Sequence, residues 1–390
     1  MFIDIIIIFI ILVLGFQFPL LVKLKKKSYR QLRFLWLYHL LFGVIYYYYV
    51  SAQGGSDSLK YWNGAKEITG DLAITILLEK YGTSIMYALN YIPSNLMNLS
   101  FFTGTVIYCF IGFMGFVFFY KIAFDLIPFN YKFKGVYLFP ALFYLPNLHF
   151  WSSAVGKDTL LFFCVGLFAY SIMKLNRRII SILFSLLLAY LVRPHIALFL
   201  LLGFSMAYLM NDKIASYKRI ILFGLLLAGG IVMLPSVMEY TQVEELSVES
   251  YESFSENKVK NLSRAHTGSS VDVSSYPLPL KIFTFLYRPT FIDIQSATAL
   301  LAAIENLILL IFTIVVLRLK PIKTFKAAPL IIKGLVFFLI IGTVAFSMSL
   351  GNLGIMLRMR NMFLPGMLIF FLWSMSCQYM KKNKIKLITK

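Results

Sequence analysis

Apolar runs repeat along almost the whole chain and limit most strongly what this sequence can fold into. Most of them are about 15 to 21 residues long, close to the roughly 20 apolar residues that a helix needs to cross a bilayer. Charged residues make up only 14% of the 390 residues, whereas a soluble domain carries about 25%. The sequence therefore predicts an all-α, polytopic transmembrane helix bundle.

The apolar runs predict about eleven spanning helices in one transmembrane domain, 1–390. The predicted helices cover residues 2–22, 35–50, 101–120, 136–150, 159–173, 179–192, 196–210, 220–236, 297–317, 334–350 and 362–379. The first run contains Asp4 and has no basic segment before it, which favours a spanning helix over a cleaved signal peptide.

Basic residues are concentrated in every second connection between the predicted helices. The connection after the first helix carries six of them between Lys23 and Arg33, which marks it as cytoplasmic. Alternation then puts 25 of the 37 basic residues on the inner side, but only 2 of the 17 acidic residues. This bias predicts that the N-terminus lies outside and the C-terminus inside. It also accounts for the net charge of +20 without a nucleic-acid partner.

Two outer connections are long, at 51–99 and 237–295. The first contains an amphipathic stretch at 72–91, which is predicted to lie along the membrane surface. The second begins with six glutamates, continues with serine, glycine and proline, and is predicted to return to the membrane at 277–285. Loops of this length are usually functional or disordered.

Five basic residues stand at the predicted outer ends of apolar helices, and the preference of basic residues for the cytoplasmic side does not explain them. They are Lys157, Arg193, Arg288, Arg358 and Arg360. Charges close to the hydrocarbon region are costly and usually bind something. The planar arginine fork suits a phosphate or pyrophosphate. The pattern predicts one shared anion site, and the alternative for Arg193 is contact with lipid headgroups.

The surroundings of these cations support the same hypothesis. Lys157 begins a predicted helix, where the helix dipole disfavours a cation, so an anionic partner would explain it. Arg193 and Arg288 each precede a proline that can begin a helix, whose N-terminus adds positive potential. The segment Arg358-Met-Arg360 is predicted to be extended, so that both arginines leave the backbone on one face.

Three residues are candidate general bases. Asp57 follows a Gly-Gly pair that permits a tight turn back towards the membrane, and Asp158 lies beside the lysine of the anion site. His195 is the third, because an unperturbed histidine has a pKa of about 6.5. Two of them have a structural alternative, which is a solvated loop residue for Asp57 and a helix cap for Asp158.

Aromatic residues and one acid complete the predicted site. Tyr61 and Trp62 are predicted to pack on the apolar faces of a sugar, and Trp151 is assigned a supporting role. Glu305, inside the predicted ninth helix, either pairs with an arginine or shapes the cavity. The three cysteines lie in apolar runs without metal-ligand spacing, so no metal and no cofactor are predicted.

Several short motifs occur in a recognisable order. They are Pro146-Asn-Leu-His-Phe-Trp-Ser-Ser-Ala-Val-Gly-Lys-Asp158, Arg193-Pro-His195, Arg288-Pro289 with Glu305-Asn306 downstream, and Arg358-Met-Arg360. In this order they resemble the Wzy-like polysaccharide polymerases of bacterial O-antigen, capsule and exopolysaccharide assembly. The resemblance covers about residues 50–365.

The resemblance implies a multi-pass enzyme of the bacterial plasma (inner) membrane whose active site faces outward. Such an enzyme transfers a growing glycan from undecaprenyl pyrophosphate to a lipid-linked oligosaccharide repeat unit, without a nucleotide sugar or an obligatory metal. Its partners are this substrate, membrane lipid and, as a candidate, a chain-length regulator. The four outer arginines would grip the pyrophosphate as leaving group, and one of the three candidate bases would take the proton of the acceptor hydroxyl.

Two other functions stay open on the sequence. An O-antigen ligase-like enzyme, or another glycosyltransferase with a polyprenyl-linked donor, would use the same outer arginines. A glycolipid flippase or transporter would instead carry charges along the middles of its helices and an internal repeat. Apart from Glu305, deep charges are nearly absent and no repeat is evident, so a glycan polymerase is the leading hypothesis.

Overall fold

The computed structural model describes residues 2–211, 215–241 and 269–383. In these residues the chain is almost entirely helical, which confirms the all-α prediction. The α-helices are α1 (Phe2–Gln17), α2 (Lys26–Gln53), α3 (Asp57–Gly64), α4 (Gly70–Glu79), α5 (Thr83–Asn90), α6 (Phe101–Leu126), α7 (Leu138–Ala141), α8 (Pro146–Ser152), α9 (Lys157–Ile172), α10 (Ile179–Val192), α11 (Pro194–Leu209), α12 (Ser216–Thr241), α13 (Leu278–Tyr287), α14 (Ala297–Arg318), α15 (Pro321–Lys326), α16 (Leu330–Ser349), α17 (Leu353–Arg360) and α18 (Leu364–Lys382). Shorter elements are the 3-10 helices Phe18–Leu21, Leu142–Tyr144, Leu175–Arg177 and Phe291–Asp293, the π-helix Tyr91–Leu96, and the strands β1 (Lys132–Phe133) and β2 (Val136–Tyr137).

Many of these helices are long and apolar enough to cross a membrane. In the described part of the chain there are six such segments, namely α1 with the 3-10 turn after it, α2, α6, Arg219–Tyr240 of α12, α14 and α16. Two helix pairs, α8 with α9 and α17 with α18, pass the same test together but bend by 108° and 61° at their breaks. Counted as one span each, these pairs raise the number to eight. The helices therefore fit a multi-pass membrane protein.

The chain forms two compact units. The first comprises Met1–Phe124 and Leu148–Ala197, and the second comprises Asp125–Asn147 and Leu198–Lys390. Both units have a core of buried apolar side chains and also expose large apolar side chains.

Glycines let the helices approach closely inside each unit. In the first unit, a Cβ added to Gly112 of α6 would lie 1.9 Å from the carbonyl oxygen of Ser152 in α8. In the second unit, a Cβ added to Gly342 of α16 would lie 2.2 Å from the ring of Phe363. Small residues at such positions are typical of helices that pack in a membrane, where close van der Waals contact drives association.

The helix predicted at 136–150 is wrong. The segment instead holds β2, the short helix α7, a 3-10 turn and the start of α8. Lys134 and Gly135 have positive φ angles of 48° and 86°, so the chain turns back there and pairs β2 with β1. The side chain of Asn130 then bonds to both backbone groups of Phe139, at 3.1 Å from the N–H nitrogen and 2.6 Å from the carbonyl oxygen. These local bonds compete with a continuous helix.

The first inner connection is shorter than predicted. Helix α2 begins at Lys26 and not at residue 35, so four of the six basic residues of that connection lie in its first turns. Lysine and arginine are good helix formers, and their long apolar stems permit them to extend a helix beyond its apolar part. The boundary therefore moves without any change in the order of the helices.

The amphipathic stretch predicted at 72–91 is helical but interrupted. It divides into α4 and α5, because Gly82 between them has φ 82° and ψ −125°, a conformation open to glycine and outside a helix. Helix α4 exposes the apolar side chains of Leu72, Ile74 and Leu78. Its position along a membrane surface stays a prediction.

The second long outer connection, predicted at 237–295, falls partly outside the described residues. Residues 242–268, with five of the six glutamates, belong to that part of the chain. The return segment predicted at 277–285 is described and forms helix α13.

Candidate functional site

Three buried charged side chains belong to the start of α9 and the end of α10. Lys157 and Asp158 are the first two residues of α9, and Arg193 follows the last residue of α10. Only 5%, 4% and 5% of their surfaces are exposed, respectively. Arg193 Nη1 donates to Asp158 Oδ1 at 2.8 Å. This α9–α10 charge cluster (Lys157, Asp158 and Arg193) carries two positive charges and one negative charge.

The residues of the α9–α10 charge cluster lie at two positions where a helix begins or ends. Helix α8 ends at Ser152 and α9 begins after a bend of 108°, so the first amide groups of α9 face the break. The dipole of α9 favours the carboxylate of Asp158 at this end and disfavours the ammonium of Lys157. Helix α10 ends because Pro194 restricts the residue before it, and Arg193 has φ −154° and ψ 98°. Pro194 then begins α11.

A neutral side chain holds the lysine of this cluster. Lys157 Nζ donates to Thr83 Oγ1 at 2.8 Å, and Thr83 is the first residue of α5. A hydroxyl orients an ammonium group without cancelling its charge. The Lys157 side chain is therefore held in this contact by a neutral acceptor.

His195 lies near the same cluster along the chain. It is the second residue of α11, two positions after Arg193, and it is buried. An imidazole at that position can accept the proton of a substrate hydroxyl that reaches it.

The ion pair changes the interpretation of Asp158. The sequence suggested a helix cap or a base, but the N-cap position of α9 is Gly156, and the carboxylate of Asp158 binds Arg193. A carboxylate oxygen engaged by a guanidinium group is better placed to orient that group than to reach an acceptor hydroxyl.

The predicted sugar-binding segment forms helix α3. Asp57 is its first residue and is exposed. Tyr61 and Trp62 are 6% and 1% exposed, and a Cβ added to Gly104 of α6 would lie 2.4 Å from the ring of Trp62. Burial of both rings favours a packing role over the predicted contact with a sugar.

Trp151 and its neighbour His149 fix α8 in the first unit. The Trp151 ring lies 6.4 Å from that of Tyr46 in α2, measured between centroids. His149 Nδ1 lies 2.9 Å from His39 Nδ1, and the His149 ring stacks on Phe116 of α6 at 4.2 Å. These contacts anchor α8 to α2 and α6 just before the break that leads to α9.

In the second unit, a carboxylate that the sequence did not single out binds Arg288. Arg288 Nε and Nη2 donate to Asp293 Oδ2 and Oδ1 at 3.1 Å and 2.5 Å. The backbone N–H and the hydroxyl of Thr290 donate to Asp293 Oδ2 at 2.7 Å and 2.9 Å. The hydrogen bond from Arg288 is the main reason why the pKa of Asp293 is lowered to about 2, and the same bond raises the pKa of Arg288. An anionic ligand would have to share Arg288 with this carboxylate or displace it.

Arg360 supports the segment that carries Arg288. It is fully buried, and its Nη2 donates to Asn306 Oδ1 at 2.6 Å while its Nη1 donates to the carbonyl oxygen of Leu286. Asn306 Nδ2 in turn donates to the carbonyl oxygen of Pro289 at 2.8 Å. The guanidinium group of Arg360 therefore ties the turn around Arg288 to helices α14 and α17.

Glu305 also has a structural partner. It is buried in α14, and its Oε2 accepts from the backbone N–H and the side-chain Nδ2 of Asn147, at 2.8 Å and 3.3 Å. The carboxylate also interacts electrostatically with Arg360. The hydrogen bonds of Glu305 thus go to Asn147, and the choice between its two predicted roles stays a prediction.

The prediction that Arg358-Met-Arg360 is extended is wrong. The side chain of Asn352 accepts from the backbone N–H of Ile355 at 3.1 Å and so starts α17, which includes both arginines. Residues two apart on a helix point about 200° away from each other. Arg360 accordingly faces the interior while Arg358 is only half-buried.

The predicted cations fall into both units. Lys157 and Arg193 belong to the first, and the other three belong to the second. The hypothesis that all five share one anion site stays a prediction.

Sequence reasoning did not identify the partners of these cations. Asp293 has a local signal, because Thr290 and Asp293 have the spacing of a capping box. Thr83 binds a residue 74 positions away and no local pattern marks it, whereas Asn306 stands in one of the short motifs but binds a residue 54 positions away.

In the described residues, no three histidine, cysteine, aspartate or glutamate side chains are grouped so that they could hold a metal ion. No family model, no curated protein and no solved structure matches this chain.

Proposed function

We propose that this protein is a glycan polymerase of the bacterial plasma membrane. It transfers a growing glycan from undecaprenyl pyrophosphate to a lipid-linked oligosaccharide repeat unit on the outer face. The observation that carries the proposal is the α9–α10 charge cluster, in which two cations are buried at the N-terminal end of an apolar helix.

The chemistry of the cluster suits a lipid-linked pyrophosphate. Buried cations are unfavourable unless other charges compensate them, and Lys157 and Arg193 are both buried in a cluster in which the carboxylate of Asp158 binds Arg193. The amide groups at the start of α9 add positive potential. A pyrophosphate headgroup supplies negative charge to such a place while its polyprenyl chain stays in the lipid.

The proposed transfer reaction assigns a role to each of these residues. The acceptor hydroxyl oxygen forms a bond to the anomeric carbon of the donor glycan, and the bond from that carbon to the pyrophosphate oxygen breaks. The bonding electrons stay on the pyrophosphate, whose growing negative charge Lys157 and Arg193 stabilise. The hydroxyl proton passes to a base. His195 is the first candidate because it follows Arg193 closely, and Asp57 is the second.

Residues of the second unit have different roles in this proposal. Arg288, whose side chain is 21% exposed, and Arg358 are further contacts for an anion. Arg360 is assigned to the support of the Arg288 segment, because its bonds go to Asn306 and to the backbone.

We include the predicted orientation, with the N-terminus outside, the C-terminus inside and about eleven crossings. The six basic residues between Lys23 and Arg33 support the orientation, since a connection rich in basic residues is typically cytoplasmic. The apolar helices α10 and α11, with 14 and 16 residues, are further crossings beside the six to eight longer ones, and α13, with 10 residues, belongs to the outer connection that returns to the membrane.

The proposal is tested by complementation of a strain that lacks the gene. The strain should make surface glycan with a single repeat unit, and the wild-type gene should restore a ladder of long chains on a gel. Arg193→Ala should leave single repeat units, and the double variant Asp158→Leu/Arg193→Met, which leaves no partner of the buried pair behind, should do the same at an unchanged protein level. Arg177→Ala, which removes an exposed arginine before α10, is the matched control and should restore the ladder.

Other outcomes identify the alternatives. A normal ladder with Arg193→Ala would contradict the anion site. Loss of all surface glycan in the deletion strain would indicate a flippase. Long lipid-linked chains that never reach their final acceptor would indicate a ligase.

A further inference from the structure

The turn between α4 and α5 contacts two segments that carry the α9–α10 charge cluster. The N–H of Gly82 donates to the carbonyl oxygen of Leu191 at 2.7 Å, in the last turn of α10. The next residue, Thr83, accepts a hydrogen bond from Lys157 Nζ at 2.8 Å. Two consecutive residues thus bind the helix end that precedes Arg193 and the side chain of the other cation.

The backbone of the turn makes these two bonds compatible. Gly82 has φ 82° and ψ −125°, which reverses the chain after α4 and which residues with a Cβ adopt only under strain. A ring contact between Tyr81 and Tyr190, with centroids 6.4 Å apart, accompanies the backbone bond. The turn is therefore fastened to α10 at two neighbouring positions.

We propose that the turn Tyr81–Thr83 sets the position of the Lys157 ammonium relative to Arg193, which makes Thr83 a positioning residue of the anion site. The inference rests on the proposed function of the α9–α10 charge cluster. A lysine side chain is flexible, and its charge stabilises a developing anion only when it is held in place before the reaction. The hydroxyl of Thr83 provides this restraint.

The choice of a hydroxyl has a consequence for binding. A neutral acceptor restrains the ammonium group without forming an ion pair with it. A carboxylate at the same position would form an ion pair with Lys157 and compete with a phosphate. Thr83→Asp is therefore expected to weaken anion binding more than removal of the hydroxyl does.

The first experiment changes the hydroxyl alone. Thr83→Val keeps the shape of the side chain and removes the acceptor, Thr83→Ser keeps the acceptor, and Ser84→Ala is a control at the neighbouring position. Chain elongation is measured in membranes supplied with the lipid-linked repeat unit. We expect Thr83→Val to slow elongation about tenfold, as for the loss of one hydrogen bond to a charged group. Thr83→Ser and Ser84→Ala should stay close to wild type.

The second experiment changes the backbone of the turn. Gly82→Ala introduces a Cβ at φ 82°, and Gly135→Ala introduces one at φ 86° in the β1–β2 hairpin of the other unit. Both variants place a Cβ at a positive φ, so both should unfold at lowered temperatures. Only Gly82→Ala should also weaken the binding of undecaprenyl pyrophosphate, measured with the purified protein in detergent.

A double-mutant cycle separates this inference from the proposed function. Thr83→Val should slow elongation when Lys157 is present and should have no further effect on Lys157→Gln. Normal elongation by Lys157→Gln would refute the proposed function of the cluster itself. An inactive Lys157→Gln together with a fully active Thr83→Val would refute only the positioning role. Unfolding temperatures of all four proteins identify a variant that fails to fold, and Thr83→Ala then replaces Thr83→Val.

Discussion

The bond between Asp158 and Arg193 joins two charges that are both buried in the first unit. Removing one partner of such a pair leaves the other charge buried, which destabilises a protein by about 3–5 kcal/mol. We expect Asp158→Ala to lower the free energy of unfolding by that order, and the double variant Asp158→Leu/Arg193→Met to regain most of it. Unfolding in detergent measures both effects. The double variant should be stable and should still make no polymer, and an Asp158→Ala protein as stable as wild type would contradict the buried pair.

The stability of the second unit depends on pH through the carboxyl group of Asp293. Its pKa in the folded protein is about 2, below the ordinary value of 3.8, because Arg288 binds the carboxylate. A carboxyl group whose pKa is lowered on folding stabilises the protein above its unfolded pKa and loses this effect as the pH falls through the folded value. The unfolding temperature should therefore decrease between about pH 4 and pH 2.

Two variants check the origin of this decrease. Asp293→Asn should remove the part of the decrease that comes from the carboxylate, because its side chain does not titrate. Asp71→Asn, which removes an exposed carboxylate from α4, should leave the decrease unchanged. The same acid dependence in Asp293→Asn as in wild type would show that other groups cause it.

Residues of the candidate site could be predicted from the sequence only where a residue was unusual for its surroundings. Lys157, Arg193 and Arg360 were identifiable because a charge beside an apolar run is rare. Their partners Thr83 and Asn306 are ordinary polar residues far away in the sequence, and only the fold brings them into contact. For the same reason, the sequence could not tell that Arg360 holds a neighbouring segment.

Close contact between α6 and α8 determines where the chain bends. A Cβ on Gly112 would lie 1.9 Å from the carbonyl oxygen of Ser152, and that carbonyl belongs to the last residue of α8. Gly112→Ala must therefore push α8 away, and overpacking of this kind costs about 1–3 kcal/mol. The unfolding temperature should fall, and elongation should fall with it because the start of α9 moves.

The chain offers a matched control for this substitution. Gly224 of α12 has no heavy atom of the described chain within 4 Å of an added Cβ. Gly224→Ala should therefore leave stability unchanged or raise it slightly, because alanine favours a helix by up to about 1 kcal/mol over glycine. Equal effects of the two substitutions would contradict the α6–α8 contact.

Elements were predictable where apolar composition alone decides the structure, as in α6 and α14. They were not predictable where a few backbone angles or a single side chain decide. The hairpin at Lys134–Gly135 depends on two positive φ angles, and α17 depends on one bond from Asn352. A hydropathy pattern contains neither signal, so the helix at 136–150 and the extended segment at 358–360 were predicted wrongly.

The orientation of the whole molecule can be tested with single cysteines. Cys109 and Cys164 are buried and Cys377 is half-buried, so a Cys377→Ser protein is a suitable background. Lys60→Cys in α3 and Lys323→Cys in α15 both introduce an exposed thiol. A membrane-impermeant maleimide should label Lys60→Cys in intact cells and Lys323→Cys only after lysis. The reverse pattern would exclude the orientation proposed for the active site.

For the whole molecule, the sequence predicted the class of fold better than the number of crossings. Apolar runs suffice to predict a multi-pass helical protein, because the hydrocarbon core demands such runs. The number of crossings is harder to predict, since α10 and α13 have only 14 and 10 residues and two helix pairs bend at their breaks. A rule based on length cannot decide whether such segments cross.

The pairing of Asp158 with Arg193 also bears on how the chain enters the membrane during synthesis. The two charges stand at the same end of two consecutive antiparallel helices, 35 residues apart. Without α10, the carboxylate of Asp158 would lack the guanidinium group that it binds, and without α9, Arg193 would lack this carboxylate, whereas the two helices together bring both partners of the ion pair. The translocation machinery would therefore release α9 and α10 as one hairpin, and a nascent chain that ends before Arg193 would be retained in an aqueous channel until its second half arrives.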